Sequence, residues 1–429
     1  MFKQGETIEV VTEGTHHKGV FIKEEKDFIV IKLSNGYNIG IAKRNIKEQK
    51  SLSKAKESQA AEHHAERKNS KLPTIALLHT GGTIASKVDY ETGAVIAKFT
   101  PEEIMGLFPE LREIANIDSK LIANLMSENI RFHEYNLIGK AIEEEIVKGA
   151  KGIIVTHGTD TLHYTAAALS FMLENLDIPI VLVGSQRSSD RPSSDSAVNL
   201  ISAALFITSA KMPGVFVCMH EGMDDEKCLI IEGVNARKMH TSRRDAFKAI
   251  NKGLVARIDY NHKKIDIIRV KKESEEKLKL SLFDEKIKVG VIKSHPNMHS
   301  DELKCYEHFD GLVIEGTGLG HIGITDSDEH SKENSSVKAE LAKLAKKMPI
   351  AMTSQTIYGR VNMNVYSTGR EELEMGIMGN YCDMTPETAF IKLAWLLSNH
   401  KKGGMKEIKA LFENNLCGEI SERSEKKEF

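Results

Sequence analysis

Short runs of alternating apolar and polar residues open the chain. Thr7–Val10, Gly19–Ile22 and Phe28–Ile31 follow this period-two pattern and are separated by turn residues, which indicates strands with one buried face. The dipeptide Asn35-Gly36 follows the third run, and it favours a tight hairpin because both residues tolerate positive φ. The pattern therefore predicts a small N-terminal β-barrel over residues 1–49.

From residue 73 onward, longer apolar runs alternate with helix-like segments. Buried-strand patterns occur at 75–78, 152–156, 178–183, 215–218, 287–292, 311–314 and 350–353. Helical periodicity occupies 133–147, 162–173, 193–207, 336–347 and 386–397, the last opened by Thr385 as cap and Pro386 at the first helical position. Strands that alternate with helices predict an α/β fold with parallel strands and crossover helices. An active site is then expected at the carboxyl ends of the strands.

Two charged segments divide the chain. Residues 50–72 are polar, without an aromatic side chain and almost without large aliphatic ones, so they predict a linker. A second charged stretch, residues 271–286, precedes a fresh buried-strand pattern and predicts a domain boundary. The expected organisation is a β-barrel at 1–49, a linker at 50–72, a catalytic domain at 73–285, a second α/β domain at 286–420 and a charged tail at 421–429.

Charge and cysteine content narrow the class of protein. With 59 Lys+Arg and 61 Asp+Glu the formal net charge is −2, so the chain lacks the positive excess that holds a nucleic acid unaided. The five cysteines are far apart and form no CxxC pair, which disfavours a disulfide framework or a zinc site. His16-His17 and His63-His64 are adjacent pairs whose side chains diverge, so surface positions are favoured over a metal site.

No targeting segment is evident from the pattern. The N-terminus is charged and lacks the apolar core of a secretory signal. No apolar run approaches the roughly 18 residues of a membrane span. We therefore expect a cytoplasmic protein without membrane association.

A glycine-rich turn follows the first α/β strand. In Leu77–Ala85, two glycines allow a sharp turn that exposes Thr83 and brings backbone N–H groups near a ligand. No Lys-Ser/Thr pair follows the glycines and no GxGxxG is present, so neither nucleotide-binding fingerprint is met. Taken alone, the segment is equally compatible with an ordinary strand and turn.

Polar residues also crowd the ends of two later strands. His157-Gly158-Thr159-Asp160-Thr161 follows one strand; Asp160 or Thr161 could simply cap the next helix, but the density of polar groups favours a site. The polar loop 184–192, with Asp195 and Asn199 beyond it, is interpreted as scaffolding. Lys238 follows another apolar run, where a lone lysine is usually a solvated side chain.

Amide hydrolysis without a metal needs a nucleophile, a base, donors for the oxyanion and groups that hold the charged ends of the substrate. The chain contains no GxSxG, no HExxH and no cysteine in a nucleophile-like setting. A threonine is therefore the natural candidate for the nucleophile.

The two motifs TGGTI and HGTDT together resemble those of the asparaginase/glutaminase family, over about residues 73–399. The resemblance implies an asparaginase-like two-domain core with parallel sheets flanked by helices. It also implies that Thr83 is the nucleophile and acyl-enzyme site, that Thr159 orients the water or assists proton transfer, and that Lys238 paired with Asp160 is the base. That lysine must lose a proton near neutral pH, which burial favours and an adjacent carboxylate opposes.

Substrate contacts follow from the same resemblance. Ser127 and Glu128 are expected to hold the carboxylate and ammonium groups of the substrate, with Asp160 also facing the ammonium. Tyr90 fits the mobile lid of the family. A homodimer core is implied because active sites in this family lie near a subunit interface, and no metal is expected.

Two further features resemble the D subunits of archaeal-type Glu-tRNA(Gln) amidotransferases, the GatD family, across nearly the whole chain. They are the N-terminal β-barrel with its linker and the run Gln355–Met363. This family hydrolyses glutamine and passes ammonia to a GatE-type partner, which uses ATP and magnesium to convert Glu-tRNA(Gln) to Gln-tRNA(Gln). The resemblance implies no cofactor in this chain, tRNA bound mainly by the partner, and a homodimer core within a heterotetramer. A stand-alone cytosolic L-asparaginase and a non-catalytic amino-acid-binding scaffold remain alternatives.

Overall fold

The computed structural model describes residues 2–3, 5–33, 38–53, 69–82, 86–88, 95–97, 106, 108–187, 194–271 and 274–424. Its first five strands are β1 (Thr7–Thr12), β2 (Thr15–Glu24), β3 (Phe28–Leu33), β4 (Asn38–Ala42) and β5 (Glu48–Ser53). They form one antiparallel sheet in the order β4-β3-β2-β1-β5. Alternate side chains such as Ile8, Val10, Ile29 and Ile31 form its core. The predicted small β domain is therefore confirmed as a five-stranded antiparallel sheet, while the Asn35-Gly36 turn lies outside the described residues.

The last strand of this sheet enters the segment predicted as a linker. β5 pairs with β1 in antiparallel register, with Lys50 opposite Glu9. The Lys50 Nζ lies 2.8 Å from Glu9 Oε2, and opposite charges on facing strands stabilise such a pair. Residues 50–53 therefore belong to the sheet, although the linker was predicted to begin at residue 50, and the charge of Lys50 is paired across strands.

The remaining elements follow in chain order. The strands are β6 (Thr74–Gly81), β7 (Ser86–Val88), β8 (Val95–Ala97), β9 (Asn116–Leu125), β10 (Ile153–Thr156), β11 (Leu173–Glu174), β12 (Pro179–Val183), β13 (Gly214–His220), β14 (Lys227–Glu232), β15 (Ala236–Lys238), β16 (Phe247–Ala249), β17 (Ala256–Asp259), β18 (Lys264–Ile267), β19 (Lys279–Leu280), β20 (Val289–Lys293), β21 (Gly311–Gly316) and β22 (Ile350–Ser354). The α-helices are α1 (Leu111–Ile114), α2 (Phe132–Val147), α3 (Leu162–Met172), α4 (Ser196–Ala210), α5 (Ser300–Lys304), α6 (Glu333–Ala345), α7 (Ser367–Glu374), α8 (Pro386–Asn399) and α9 (Gly404–Glu413). Single 3-10 turns occur at Lys43–Asn45, Ser127–Asn129 and Lys401–Gly403.

An eight-stranded sheet in the order β18-β17-β14-β13-β12-β10-β6-β9 forms the larger α/β domain. The five strands from β9 to β13 in this order run parallel, as predicted. The remaining strands, β14, β17 and β18, are antiparallel. The four strands predicted in this domain, at 75–78, 152–156, 178–183 and 215–218, all belong to the parallel part. β14 is antiparallel to β13 because the connection from His220 to Lys227 is too short for the crossover that a parallel pair requires.

Helices cover both faces of this sheet. Side chains of α2 and α3 pack on one face together with α8, and α4 packs on the other. A three-stranded parallel sheet, β20-β21-β22, forms the second domain. The predicted α/β architecture, with parallel strands flanked by helices, is thereby confirmed.

The start of α8 follows its predicted capping. Pro386 is its first residue, and Thr385 Oγ1 accepts a hydrogen bond from the Thr388 backbone N–H at 3.3 Å. This arrangement satisfies one of the free N–H groups of the first turn.

Across the described parts of the chain, none of the helices has the length and apolar character that crossing a bilayer requires.

Candidate active site

Two parallel strands bring Thr80–Gly82, the described part of the TGGTI motif, and the HGTDT motif to one edge of the larger sheet. β6 and β10 are neighbours in register, with His79 opposite Thr156. The Thr80 hydroxyl donates to the Thr156 carbonyl at 2.8 Å. The His79 ring joins the Thr156 hydroxyl at 2.9 Å and the Ser119 hydroxyl at 2.8 Å. The ends of β6 and β10 are therefore tied to each other by buried hydrogen bonds, and β6 is also tied to the neighbouring strand β9.

Glycines allow the two loops to touch. Gly81 and Gly82 have φ of +99° and +78°, a region that side chains disfavour. A Cβ on Gly82 would lie 2.3 Å from the Gly158 backbone nitrogen. A Cβ on Gly158 would in turn lie 2.8 Å from Ser127 Oγ. The glycine turn at residues 81–82 (the first loop), residues 157–161 (the second loop) and the turn at Ser127 are thus in close contact.

The Lys238 ammonium lies between two side chains of the second loop. Lys238 ends β15, which pairs with β16 as a hairpin. Its Nζ lies 2.9 Å from Thr159 Oγ1 and 2.6 Å from Asp160 Oδ1. The Lys238 side chain is 10% exposed and the Asp160 side chain 65%, while Thr159 is buried. The interpretation of Lys238 as a solvated surface lysine is therefore wrong, because the second loop covers it.

His157 fixes the backbone of the second loop. Burial lowers the pKa of this fully enclosed imidazole to about 4, so the ring is neutral. Its Nδ1 donates to the Gly158 carbonyl at 2.7 Å, and a neutral ring then accepts the Thr165 hydroxyl at Nε2, at 2.8 Å. His157 therefore holds the peptide that precedes Thr159.

The turn after β9 brings Ser127 and Glu128 beside these loops. Ser127 is buried and Glu128 is exposed. The Thr161 hydroxyl donates to the Ser127 carbonyl at 2.7 Å. The alternative that Thr161 serves as a side-chain cap of α3 is wrong, because Thr161 makes no capping hydrogen bond there and instead binds the neighbouring turn.

Two of the predicted site residues lie outside the described residues. They are Thr83 and Tyr90. Gly82 is the last described residue before Thr83 in the sequence. Their predicted roles as nucleophile and lid therefore stay predictions.

The polar loop that begins at residue 184, the third loop, is held by Asp195 at the start of α4. The Asp195 carboxylate accepts backbone N–H groups of Gln186 and Arg187 at 3.0 and 3.1 Å. A Cβ on Gly184 would lie 2.7 Å from the Thr159 Cγ2 methyl. The contacts agree with the interpretation of this loop as scaffolding that supports Thr159.

An open cleft of about 450 Å³ adjoins Lys238, and part of its wall was not anticipated from the sequence. His163 and Tyr164 contribute from α3, and Glu387 contributes from α8. Burial lowers the pKa of His163 to about 4 and raises that of Tyr164 to about 12, so both side chains are neutral. His163 and Tyr164 directly follow the HGTDT motif, which was a usable signal; Glu387 had none, because it comes from the other domain.

Glu387 also ties the two domains together beside the site. Arg237, which precedes Lys238 in β15, donates from Nε and Nη2 to Glu387 Oε1 at 3.0 and 2.8 Å. Both side chains are mostly buried, so this charge-assisted contact constrains the strand that carries Lys238.

Among the residues that the structure describes, no three His, Cys, Asp or Glu side chains are grouped to hold a metal ion.

Replacing Gly82 with alanine tests the loop contact. We expect a loss of about 100-fold in kcat for amide hydrolysis, because a new Cβ would push the first loop away from Gly158, and small misplacements in a site have effects of this size. Gly149→Ala is the matched control, since Gly149 also has positive φ, +93°, but has no atom within 4 Å of the new Cβ. Equal losses in the two variants would contradict the importance of the contact.

Family comparisons agree with this arrangement. Residues 74–271 match the family described as asparaginase, N-terminal, and residues 288–412 match the glutaminase/asparaginase C-terminal domain. Residues 2–50 match the GatD N-terminal domain. The thermostable L-asparaginase of Thermococcus kodakarensis is a similar solved structure, with a TM-score of 0.71 and 31% identity over 82% of this chain and 100% of that one. A probable cytoplasmic L-asparaginase from Campylobacter jejuni has a TM-score of 0.65 and 26% identity, over 80% and 100%.

Relatives of full length share all three regions. The D subunit of the glutamyl-tRNA(Gln) amidotransferase of Methanococcus maripaludis (strain C5) is 43% identical over 428 residues, 97% of this chain and 98% of that one. The protein of the same name from Pyrococcus furiosus is 45% identical over 405 residues, 92% and 88%. Identity of this extent, together with the N-terminal match, places the chain in the family of Glu-tRNA(Gln) amidotransferase D subunits.

Proposed function

We propose that this chain hydrolyses glutamine and supplies the ammonia to a GatE-type partner that converts Glu-tRNA(Gln) to Gln-tRNA(Gln). One observation carries the proposal: Lys238 Nζ lies within hydrogen-bonding distance of both Thr159 and Asp160, where the TGGTI and HGTDT loops meet. An amine, an alcohol and a carboxylate in contact form the proton-transfer unit that an alcohol nucleophile requires.

The proposed reaction has two halves. In the first, the Thr83 hydroxyl oxygen bonds to the side-chain carbonyl carbon of glutamine, and its proton passes through Thr159 and the Lys238 amine to the leaving nitrogen. The carbon–nitrogen bond then breaks and releases ammonia, which leaves an ester on Thr83. In the second half, a water oriented by Thr159 gives its proton to the same base and attacks the ester carbon. The bond between that carbon and the Thr83 oxygen then breaks, the base returns the proton to the Thr83 oxygen, and glutamate is released.

The substrate ends and the oxyanion require further groups. Ser127 and Glu128 are proposed to hold the carboxylate and ammonium of glutamine, together with the exposed Asp160 carboxylate, and Tyr90 to close over the bound substrate. Backbone N–H groups of the glycine turn and of Thr159 are proposed to meet the oxyanion. The contacts that His157 makes with Gly158 support this, because they preset the backbone beside Thr159.

The tRNA-dependent step is assigned to the partner. ATP and magnesium are proposed to act there, and the tRNA to be held mainly there, because this chain has a formal net charge of only −2 and lacks a strong cationic field. The proposed assembly is a homodimer of this chain within a heterotetramer, in the cytoplasm. A stand-alone L-asparaginase does not account for residues 2–50, which match the GatD N-terminal domain.

The decisive assay measures ammonia released from glutamine under three conditions: the chain alone, the chain with a GatE-type partner, and the complete mixture with ATP and glutamyl-tRNA. We expect strong stimulation only in the complete mixture, with the ¹⁵N of amide-labelled glutamine recovered in Gln-tRNA. Thr83→Val is the inactive control. Full asparagine hydrolysis by the chain alone would instead favour the stand-alone asparaginase, and glutamine binding without ammonia release would favour the scaffold.

A further inference from the structure

A polar network with a buried centre links the hairpin of Lys238 to the loop that packs on Thr159. At its near end is Arg244, in the turn between β15 and β16. Arg244 Nη1 lies 2.5 Å from Asp225 Oδ1 and 3.4 Å from the Met223 carbonyl. The Arg244 side chain is only 14% exposed. These contacts fasten the hairpin to the connection between β13 and β14.

His220 occupies the centre of the network. It is the last residue of β13 and is fully buried. Its Nδ1 lies 2.6 Å from Asn199 Oδ1, and its Nε2 lies 3.8 Å from Asp225 Oδ1. The imidazole therefore joins the hairpin side of the network to helix α4.

The far end of the network reaches the third loop. Asn199 Nδ2 donates to the Gly184 carbonyl at 3.0 Å and to Asp195 Oδ2 at 3.2 Å. Asp195 holds the backbone of the same loop, and Gly184 lies directly against the Thr159 methyl group. Asn199 and Asp195 together thus hold the loop that supports Thr159.

We propose that His220 is a positioning residue for the proposed glutamine hydrolysis. It sets the distance between Lys238 and Thr159 through two sets of contacts: Asp225 and Arg244 toward the hairpin, and Asn199 toward the third loop. The Lys238–Thr159 contact joins two separate chain segments, so its length depends on how these two segments are held relative to each other. The members of the network are joined by hydrogen bonds and, between His220 and Asp225, by a charge contact at 3.8 Å. Such networks rigidify the elements that they connect, and catalytic groups must be held to within about 0.5 Å of their working geometry. This role rests on the proposed function.

The protonation state of His220 agrees with a ring that donates in both directions. Burial lowers its pKa, but the neighbouring Asp225 carboxylate, Cys228 and Asp195 outweigh burial and raise it to about 9. The charged ring donates from Nδ1 to Asn199 and presents Nε2–H to Asp225. A glutamine side chain at this position keeps a donor but loses the charge and the second directed contact.

The test compares steady-state glutamine hydrolysis by the complete complex containing His220→Gln, Arg244→Met or Arg244→Lys. We expect kcat to fall about 10-fold or more in the first two variants with KM changed less than about twofold, because geometry and not ground-state binding is lost. Arg244→Lys retains the contact with Asp225 and should restore much of kcat. Arg257→Met is the matched control, since Arg257 pairs with Glu221 at 2.6 Å without contacting the hairpin, and its kcat should not change.

The opposing outcomes are distinct. Unchanged kcat in Arg244→Met, with the unmodified complex active, would overturn the positioning role alone. If Arg244→Met and Arg244→Lys lose kcat equally and in proportion to their loss of melting temperature, the role of Arg244 is structural only. That result would also overturn the positioning role. Absence of glutamine hydrolysis by the unmodified complex would overturn the proposed function. Should His220→Gln fail to fold, the Arg244 pair still decides, because that residue lies in the turn of a hairpin.

Discussion

Replacing Lys238 with methionine is expected to lower kcat for glutamine hydrolysis about 1000-fold, because proton transfer by a positioned side chain typically contributes between about 100-fold and 10,000-fold. The substitution removes the amine that contacts Thr159 and Asp160. Methionine preserves most of the apolar stem, so the packing of β15 is retained. Asp160 is left without its cation but is largely solvated, so no buried charge is left unpaired.

The assay for Lys238→Met is ammonia release at saturating glutamine in the complete complex, with the melting temperature measured in parallel. Lys248→Met is the matched control, because Lys248 lies on β16 of the same hairpin with a side chain 41% exposed. Its activity should match that of the unmodified chain. A Lys238→Met protein that keeps more than about a tenth of the wild-type kcat would remove this lysine from proton transfer.

The parts of the site that could be predicted from sequence are those built from local signals. Glycines with positive φ, hydroxyls and a histidine follow directly after apolar strands, and adjacent parallel strands necessarily end at one edge. The role of Lys238 as base follows only from the family resemblance. Its neighbours in the sequence do not distinguish a solvated lysine from one that the second loop covers. The contact with Thr159 joins positions far apart in the chain, and such contacts leave no local pattern.

The features that sequence patterns missed are contacts between distant elements. The Arg237–Glu387 ion pair joins the two α/β domains, and neither residue stands out in its own segment. The antiparallel strands β17 and β18 were not predicted because each has only four residues and includes exposed positions, so neither shows a buried apolar run. Residues 50–53 have the composition of a linker but lie in β5, where Lys50 pairs with Glu9 on the neighbouring strand.

Lys392 is a charged residue at a position that the helical periodicity assigns to the apolar face. It lies within the apolar stripe of α8 and is fully buried, as is its partner Glu419 near the C-terminus. Lys392 Nζ lies 2.5 Å from Glu419 Oε1 and also donates to the Phe412 and Asn414 carbonyls at 2.8 and 2.6 Å. Burial alone would raise the pKa of Glu419, but the Lys392 charge and the hydrogen bonds lower it overall. The pair therefore anchors the segment that follows α9.

Glu419→Ala is expected to lower the free energy of unfolding by about 3–5 kcal/mol, because it leaves a buried ammonium without its counter-ion. Lys392→Met should be costly for the complementary reason, while the double variant should cost clearly less than the sum, since neither charge then remains unpaired. Urea denaturation of the single and double variants measures this coupling. Lys120→Met is the control: Lys120 pairs with Glu144 at 2.8 Å on the surface, where an ion pair contributes at most about 1 kcal/mol. Strict additivity at positions 392 and 419 would contradict the interpretation that the two charges stabilise each other.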